Sequence, residues 1–151
     1  VVSDAIAPPP PVGQVIVGGE VPAVLVGGDG DDVIFAGPGG DGIAGGAGDD
    51  SLVGAAGNDE IHGGAGDDTI SGGAGNDTLH GGPGDDRIFG GPGNDRLHGH
   101  EGSDHLEGGD GDDTLLGGGG DDTLVGGDGD DWLAGGSRDD LPIAGAAAAM
   151  A

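Results

Sequence analysis

The chain has 151 residues, no cysteine, 42 glycines, 2% aromatic residues and a formal net charge of −26. It cannot form disulfides or Cys-ligated zinc sites, and three Lys and Arg against 29 Asp and Glu argue against nucleic-acid binding. No run approaches the roughly 18 apolar residues of a membrane span. Such a composition is typical of disordered chains unless a regular repeat is present. The expected partners are cations.

The N-terminal part of the chain lacks acidic loops. Residues 1–14 include four consecutive prolines, and we expect them to be a Pro-rich linker or tail. Residues 15–26 contain the segments VIV and VLV nine residues apart. We expect residues 15–26 to form a metal-free N-terminal capping coil that continues the spacing of the repeats.

Thirteen nonapeptides follow without a gap from residue 27 to residue 143. Position eight is Ile or Leu in twelve of them, and Gly occupies positions one, two and four in at least eleven. Position six is Asp in every unit, so the candidate metal ligands are Asp32, Asp41, Asp50, Asp59, Asp68, Asp77, Asp86, Asp95, Asp104, Asp113, Asp122, Asp131 and Asp140. Residues 144–151 are expected to be a C-terminal tail.

Each unit is predicted to be a turn followed by a very short strand. Three glycines in four residues supply positive φ and close backbone approach, which suits a tight turn. The last three residues alternate outward, inward and outward when they are extended, so that only the aliphatic residue reaches the interior. The sequence therefore predicts a loop of six residues and a strand of three.

Short strands of this kind need stacked neighbours. With two nonapeptides in each coil, residues 18 apart lie above one another at roughly 4.8 Å. The aliphatic residues then form two interior ladders, and the aspartates stack down the edges. Two bare charges at that spacing repel by about 0.9 kcal/mol in water and about 3.5 kcal/mol at an effective dielectric of 20. A bound cation is needed, and carboxylates with backbone carbonyls favour Ca²⁺.

The segment GGAGNDTLH at residues 72–80 fits the pattern GGxGxDxUx at every position. Residues 27–143 thereby resemble the RTX (repeats-in-toxin) calcium-binding nonapeptide family. The resemblance implies an all-β fold, a right-handed parallel β-roll with two nonapeptides per coil and Ca²⁺ between stacked turns. It also implies the ligands of each ion, which for one interval are Ala55 O, Gly57 O, Asp59, Gly72 O, Ala74 O and Asp77.

The number of ions follows from the same arrangement. Seven turns on one edge and six on the other leave eleven intervals, and interior aspartates each contact two ions. Eleven divalent ions carry 22 positive charges, which would reduce the formal charge of −26 to −4. Ala55 and His100 replace glycine at position two, where they would act through their carbonyls if the backbone can turn there.

The resemblance implies a calcium-binding repeat module of a secreted, extracellular bacterial protein. Such a module is unfolded at low cytosolic calcium, passes through a type I secretion apparatus and folds outside the cell. The sequence contains no H-E-x-x-H and no G-x-S-x-G motif, so we expect no enzyme in this chain. The alternatives are a fragment of a larger RTX protease, lipase, epimerase or toxin, and a segment of an adhesin or surface-layer protein.

Three histidines suggest a second metal. His62, His80 and His98 are 18 residues apart at position nine, so they are predicted to form an outward ladder on one sheet. This places imidazoles near enough for weak Zn²⁺ binding to the calcium-loaded form. The alternative is a solvated polar ladder.

Overall fold

The computed structural model describes residues 13–143 and Gly145; the rest of the expected linker and tail lies outside the described residues. Within this part the chain forms fifteen strands and no helix, so none long and apolar enough to cross a membrane. The strands are β1 Val15–Val17, β2 Val24–Asp29, β3 Val33–Pro38, β4 Gly42–Ala47, β5 Ser51–Ala56, β6 Glu60–Ala65, β7 Thr69–Ala74, β8 Thr78–Pro83, β9 Arg87–Pro92, β10 Arg96–Glu101, β11 His105–Asp110, β12 Thr114–Gly119, β13 Thr123–Asp128, β14 Trp132–Ser137 and β15 Leu141–Ile143.

The strands form two parallel sheets. The odd-numbered strands make an eight-stranded sheet and the even-numbered strands a seven-stranded sheet, both counted over the described residues. Each strand pairs with the next strand of its sheet at an offset of 18 residues, as Leu79 does with Leu97. The chain is therefore a β-solenoid of about seven turns. This confirms the all-β parallel β-roll with two nonapeptides in each coil.

The position-eight residues form the core between the sheets. They are fully buried or nearly so. Side chains alternate between the two faces of a strand, and those of position eight lie on the face that points into the narrow coil. One ladder is Ile34, Leu52, Ile70, Ile88, Leu106 and Leu124, and the other is Ile43, Ile61, Leu79, Leu97, Leu115 and Leu133. Ile16 and Leu25 extend the two ladders toward the N-terminus as partly buried residues.

Most strands have six residues, whereas three were predicted. In β8, for example, Thr78–Pro83, the strand continues through Gly81 and Gly82 of the next unit. Stacked coils hold their backbones in register, so main-chain pairing continues wherever a partner lies 18 residues away. The glycine-rich segment is thus part strand and part turn, with the pairing of β8 and β10 interrupted only at position one, between His98 and His100.

Positions two and four have positive φ throughout the repeats. Three non-glycine residues of the described chain share this conformation: Ala55 at 87°, His100 at 89° and Arg138 at 103°. A left-handed backbone costs a non-glycine residue roughly 1–2 kcal/mol. The backbone does turn at Ala55 and His100, and the surrounding coils impose that turn despite the cost.

The N-terminal coil continues the register without the aspartates. Gln14 and Ala23 lie 18 residues before Asp32 and Asp41, and the backbone N–H of Ala23 donates to Asp41 Oδ1 at 2.6 Å. The Gln14 backbone N–H donates to Asp32 Oδ1, and its side-chain Nε2 donates to the carbonyl of Gly27 at 2.7 Å. The first coil therefore ends the stack with neutral donors.

The core ladder can be tested at Leu79, which packs in the interior between Ile61 and Leu97. Leu79→Ala should lower the free energy of unfolding by about 2–5 kcal/mol, because the narrow core cannot close the cavity. The outward-facing control Ser71→Ala should stay within about 0.5 kcal/mol of the wild type. Urea denaturation in saturating Ca²⁺ measures both values, and equal losses would contradict the inward assignment of position eight.

Candidate metal centre

The turns place the position-six aspartates in two vertical ladders, one on each edge of the solenoid. The first edge carries Asp32, Asp50, Asp68, Asp86, Asp104, Asp122 and Asp140, and the second carries Asp41, Asp59, Asp77, Asp95, Asp113 and Asp131. Twelve of the thirteen are at most 3% exposed, and Asp140 at the last turn is partly buried. Buried carboxylates on this scale require partners.

One oxygen of each carboxylate has a partner in the coil below. The backbone N–H of Asp59 donates to Asp77 Oδ1 at 2.8 Å, and that of Asp77 donates to Asp95 Oδ1 at 2.8 Å. The same bond links the successive aspartates on both edges. Each carboxylate is thereby oriented by the coil that precedes it.

The other oxygen has no protein partner. Within the described residues, Oδ2 of all twelve buried aspartates is buried and accepts no hydrogen bond. At Gly54 an added Cβ would lie under 3.0 Å from both Asp59 Oδ2 and the carbonyl oxygen of Gly72. Two oxygens thus approach one space with no donor between them. A cation in that space would stabilise both oxygens, whereas a side chain at Gly54 would occupy the space.

The ligands predicted for one ion line a single interval between coils. The carbonyl oxygens of Ala55 and Gly57 point toward the coil above, where a Cβ on Gly73 or Gly75 would collide with them. From that upper coil the carbonyl of Gly72 points down toward Gly54.

The two remaining predicted groups of the upper coil already accept one hydrogen bond each. Ala74 O accepts from the N–H of Gly57 at 2.8 Å, and Asp77 Oδ1 accepts from the N–H of Asp59 at 2.8 Å. An oxygen of either kind keeps a lone pair for a metal ion. All six predicted ligands therefore border the same interval, Asp59 through the Oδ2 atom that approaches Gly72 O beside Gly54.

Burial raises the pKa of these carboxyls. The pKa of Asp86 and of Asp113 rises to about 7, and that of Asp68 rises to about 6. Loss of solvation is the main cause in each, and repulsion from neighbouring aspartates adds to it, against the lowering effect of the backbone hydrogen bond. The folded coil therefore holds charged carboxylates at neutral pH only at a cost.

A second ladder runs along the outside of the turns in the opposite direction. The N–H of Asp67 donates to Asp49 Oδ1 at 2.9 Å, and the N–H of Asn76 donates to Asn58 Oδ1 at 2.9 Å. Position-five side chains thus accept from the coil above, whereas position-six side chains accept from the coil below. The sequence analysis did not predict this ladder, although an oxygen-bearing side chain occupies position five in every unit except at Gly40.

The three histidines predicted to form an outward ladder do lie on paired strands, with His80 between His62 and His98. The rings of His62 and His80 stack at a centroid distance of 4.7 Å, and those of His80 and His98 lie 6.0 Å apart. His100, which the sequence interpretation did not include, joins them: its Nε2 is 3.0 Å from His80 Nδ1. The converging set is His80, His98 and His100.

A comparison with known protein families agrees with these features of the chain. The family model described as RTX calcium-binding nonapeptide repeat (4 copies) matches residues 17–52, 44–79, 71–106, 80–115 and 107–141. The chain belongs to this family. RTX nonapeptide repeats bind calcium, and the buried aspartate ladders of this RTX chain fit that ion. No curated protein matches the chain.

The position of an aspartate in the ladder predicts its importance for calcium. Asp77→Asn should raise the calcium concentration at the folding midpoint more than Asp140→Asn does, because Asp77 has coils above and below it and Asp140 lies at the last turn. Far-UV circular dichroism during calcium titration measures both midpoints. Equal shifts would contradict the shared use of interior aspartates by two intervals.

The raised pKa values predict how the metal-free chain responds to acid. A carboxyl whose pKa rises on folding from 3.8 to about 6 or 7 stabilises the coil when protonated. That contribution is fully present below about pH 3.8 and is lost as the pH rises through about 6 to 7. In calcium-free buffer the strand signal in circular dichroism should therefore be stronger at about pH 4 than at about pH 8. A weaker signal at the acidic pH would contradict the burial of the ladders.

Proposed function

We propose that this RTX chain is a calcium-triggered folding module of a secreted bacterial protein. The observation that carries the proposal is the set of twelve buried Oδ2 atoms without a partner in the described residues. A coil with that many unpaired carboxylate oxygens is unstable as an isolated protein at neutral pH. Calcium supplies the missing interaction, so that the metal-free chain stays largely unfolded and the loaded chain folds.

Calcium is the ion that the donor set favours. Carboxylate and carbonyl oxygens border each interval, and Ca²⁺ accepts six to eight oxygen ligands in flexible geometry. We propose for one ion the set Ala55 O, Gly57 O, Asp59, Gly72 O, Ala74 O and Asp77, and the equivalent residues for the other intervals. Full loading takes eleven ions and leaves a formal charge of −4 out of −26.

The N-terminal coil of residues 15–26 would be free of metal in this arrangement. Gln14 and Ala23 occupy the places where the next coils have Asp32 and Asp41. The Gln14 amide donates to the Gly27 carbonyl, so one of the carbonyl oxygens of the first turn already has a neutral partner. This coil would then cover the first aspartates, bond to their Oδ1 atoms and add no further carboxylate to the ladders.

Secretion explains why the fold depends on calcium. Calcium is scarce in the bacterial cytosol and abundant outside the cell, so a chain with these ladders stays extended until it has been exported. An extended chain suits a type I secretion apparatus, and the folded module would be extracellular. Repeats make up the described residues, and we assign them no catalytic role; a longer parent could be an RTX enzyme, a toxin or an adhesin.

Zinc binding at the histidines is a separate function with different ligands. Imidazoles favour Zn²⁺, Cu²⁺ and Ni²⁺, whereas the oxygens between coils favour Ca²⁺. The sequence-based proposal of weak Zn²⁺ binding at His62, His80 and His98 is therefore independent of the calcium ladders, except that it needs the folded coil.

Folding itself is the test of the proposed function. In excess chelator the chain should lack strand signal, and added Ca²⁺ should produce it cooperatively with an apparent affinity of about 10⁻⁴–10⁻³ M. Mg²⁺ at the same concentration is the control and should not replace Ca²⁺, because it requires near-octahedral ligands at about 2.0–2.1 Å. Strand content that is unchanged by chelator would refute the proposal.

A further inference from the structure

A histidine cluster lies on the outside of the seven-stranded sheet, away from the carboxylate ladders. His80 belongs to β8, and His98 and His100 belong to β10, the strand paired with it. One ligand nitrogen from each of the three rings lies within 4.8 Å of the others. The closest pair, His80 Nδ1 and His100 Nε2, is separated by 3.0 Å.

His100 reaches this cluster from a strained backbone position. Position two of the nonapeptide is Gly in eleven of thirteen units, and His100 adopts its positive φ of 89° there in place of glycine. The ring of His100 then packs against that of His98 at a centroid distance of 3.6 Å and against that of His80 at 5.3 Å. A side chain held in a costly conformation beside chemically similar groups is a candidate for function.

Burial and the neighbouring rings disfavour the protonated form of these imidazoles. The pKa of His80 is lowered, first by burial and then by repulsion from the other three histidines of this face. Burial also lowers the pKa of His98 and of His100. Neutral imidazole is the form that binds a metal.

His62 is directed elsewhere. Its Nε2 lies 3.2 Å from Glu60 Oε1, and more than half of its side chain is exposed. Its ring stacks on His80 but is not among the three whose nitrogens converge. The 18-residue spacing alone therefore selects His62, His80 and His98, whereas the side chains bring together His80, His98 and His100.

We propose that His80, His98 and His100 together bind one divalent transition-metal ion. Nitrogens that bind one Zn²⁺ ion at about 2.0–2.1 Å in tetrahedral geometry are about 3.4 Å apart. His80 Nδ1 and His100 Nε2, 3.0 Å apart, would have to separate by about 0.4 Å to reach that spacing, and the nitrogen of His98 needs a ring rotation that moves it on the order of 1 Å. His80 and His100 also line a cleft together with His62 and Glu101, and from this cleft water or an external ligand would supply the fourth ligand.

Whereas calcium would use the backbone carbonyl of His100, such an ion would join two successive coils through imidazole nitrogens. It needs the strand pairing of β8 with β10, and so it rests on the proposed calcium-triggered folding. Linkage then makes the effect reciprocal: Zn²⁺ stabilises the loaded coil and lowers the calcium concentration at the folding midpoint.

The test is calorimetric titration of Zn²⁺ into the full chain in saturating Ca²⁺. The wild type should bind one Zn²⁺ per chain, and His100→Gly and His80→Ala should each weaken binding at least about tenfold, as expected for a lost ligand. His100→Gly removes the imidazole and relieves the positive φ, so it folds at least as well as the wild type. The matched control Ala55→Gly relieves the same strain at the same position of another unit and should leave Zn²⁺ affinity within about twofold. His62→Ala should also keep its affinity.

The outcomes separate this site from its alternatives. Wild-type and His100→Gly isotherms that coincide would overturn the proposal, as would a wild type that binds no Zn²⁺. Loss of binding in His62→Ala with His100→Gly unaffected would show that the evenly spaced ladder binds instead. Circular dichroism of the same samples reports calcium-induced folding. If the proposed function is wrong, the strand signal will not depend on calcium. If only the zinc site is wrong, the chain will fold with calcium but will show no heat of Zn²⁺ binding.

Discussion

The structure depends on a carboxylate oxygen that the protein itself does not satisfy. Each buried aspartate has one oxygen bonded to the coil below and one that accepts nothing from the described chain. The other features of the repeat follow from this oxygen. At the twelve glycines of position one a Cβ would approach the carboxylate too closely, and Ala36 is the exception. The net charge of −26 is tolerable only with a comparable positive charge from bound cations.

Two opposed hydrogen-bond ladders set the spacing into which a cation must fit. Position five bonds upward from each coil and position six downward, as Asp49 does with Asp67 and Asp77 with Asp59. The backbone N–H groups of positions five and six are satisfied in this way by side-chain oxygens, so they do not take up the turn carbonyls. On the Asp50 edge the position-five residues Asp31 and Asp49 add repulsion, whereas Asn58 and Asn76 on the opposite edge are uncharged.

The nine-residue period predicted the register, the two core ladders and the stacking of the aspartates. Thirteen units with the same pattern can align their aliphatic and aspartate residues in only a few ways. It did not predict the length of the strands, since the backbone pairs through glycines that no side-chain pattern marks. It also did not predict the side-chain contact of His100, whose Nε2 lies 3.0 Å from Nδ1 of His80, 20 residues away and not 18. The nine-residue period cannot predict this contact, because it depends on the direction in which the positive φ of His100 points its side chain.

The number of calcium ions held by each folded chain shows whether cations fill the intervals between stacked aspartates. If every interval between stacked aspartates takes one ion, native mass spectrometry of the chain in millimolar Ca²⁺ should show a folded species with about eleven ions. That species should lose its ions and its compact charge-state distribution together when chelator is added. A compact chain that carries no ions, or only one or two, would show that the coil folds without them, although most of the twelve buried Oδ2 atoms would then remain without a partner.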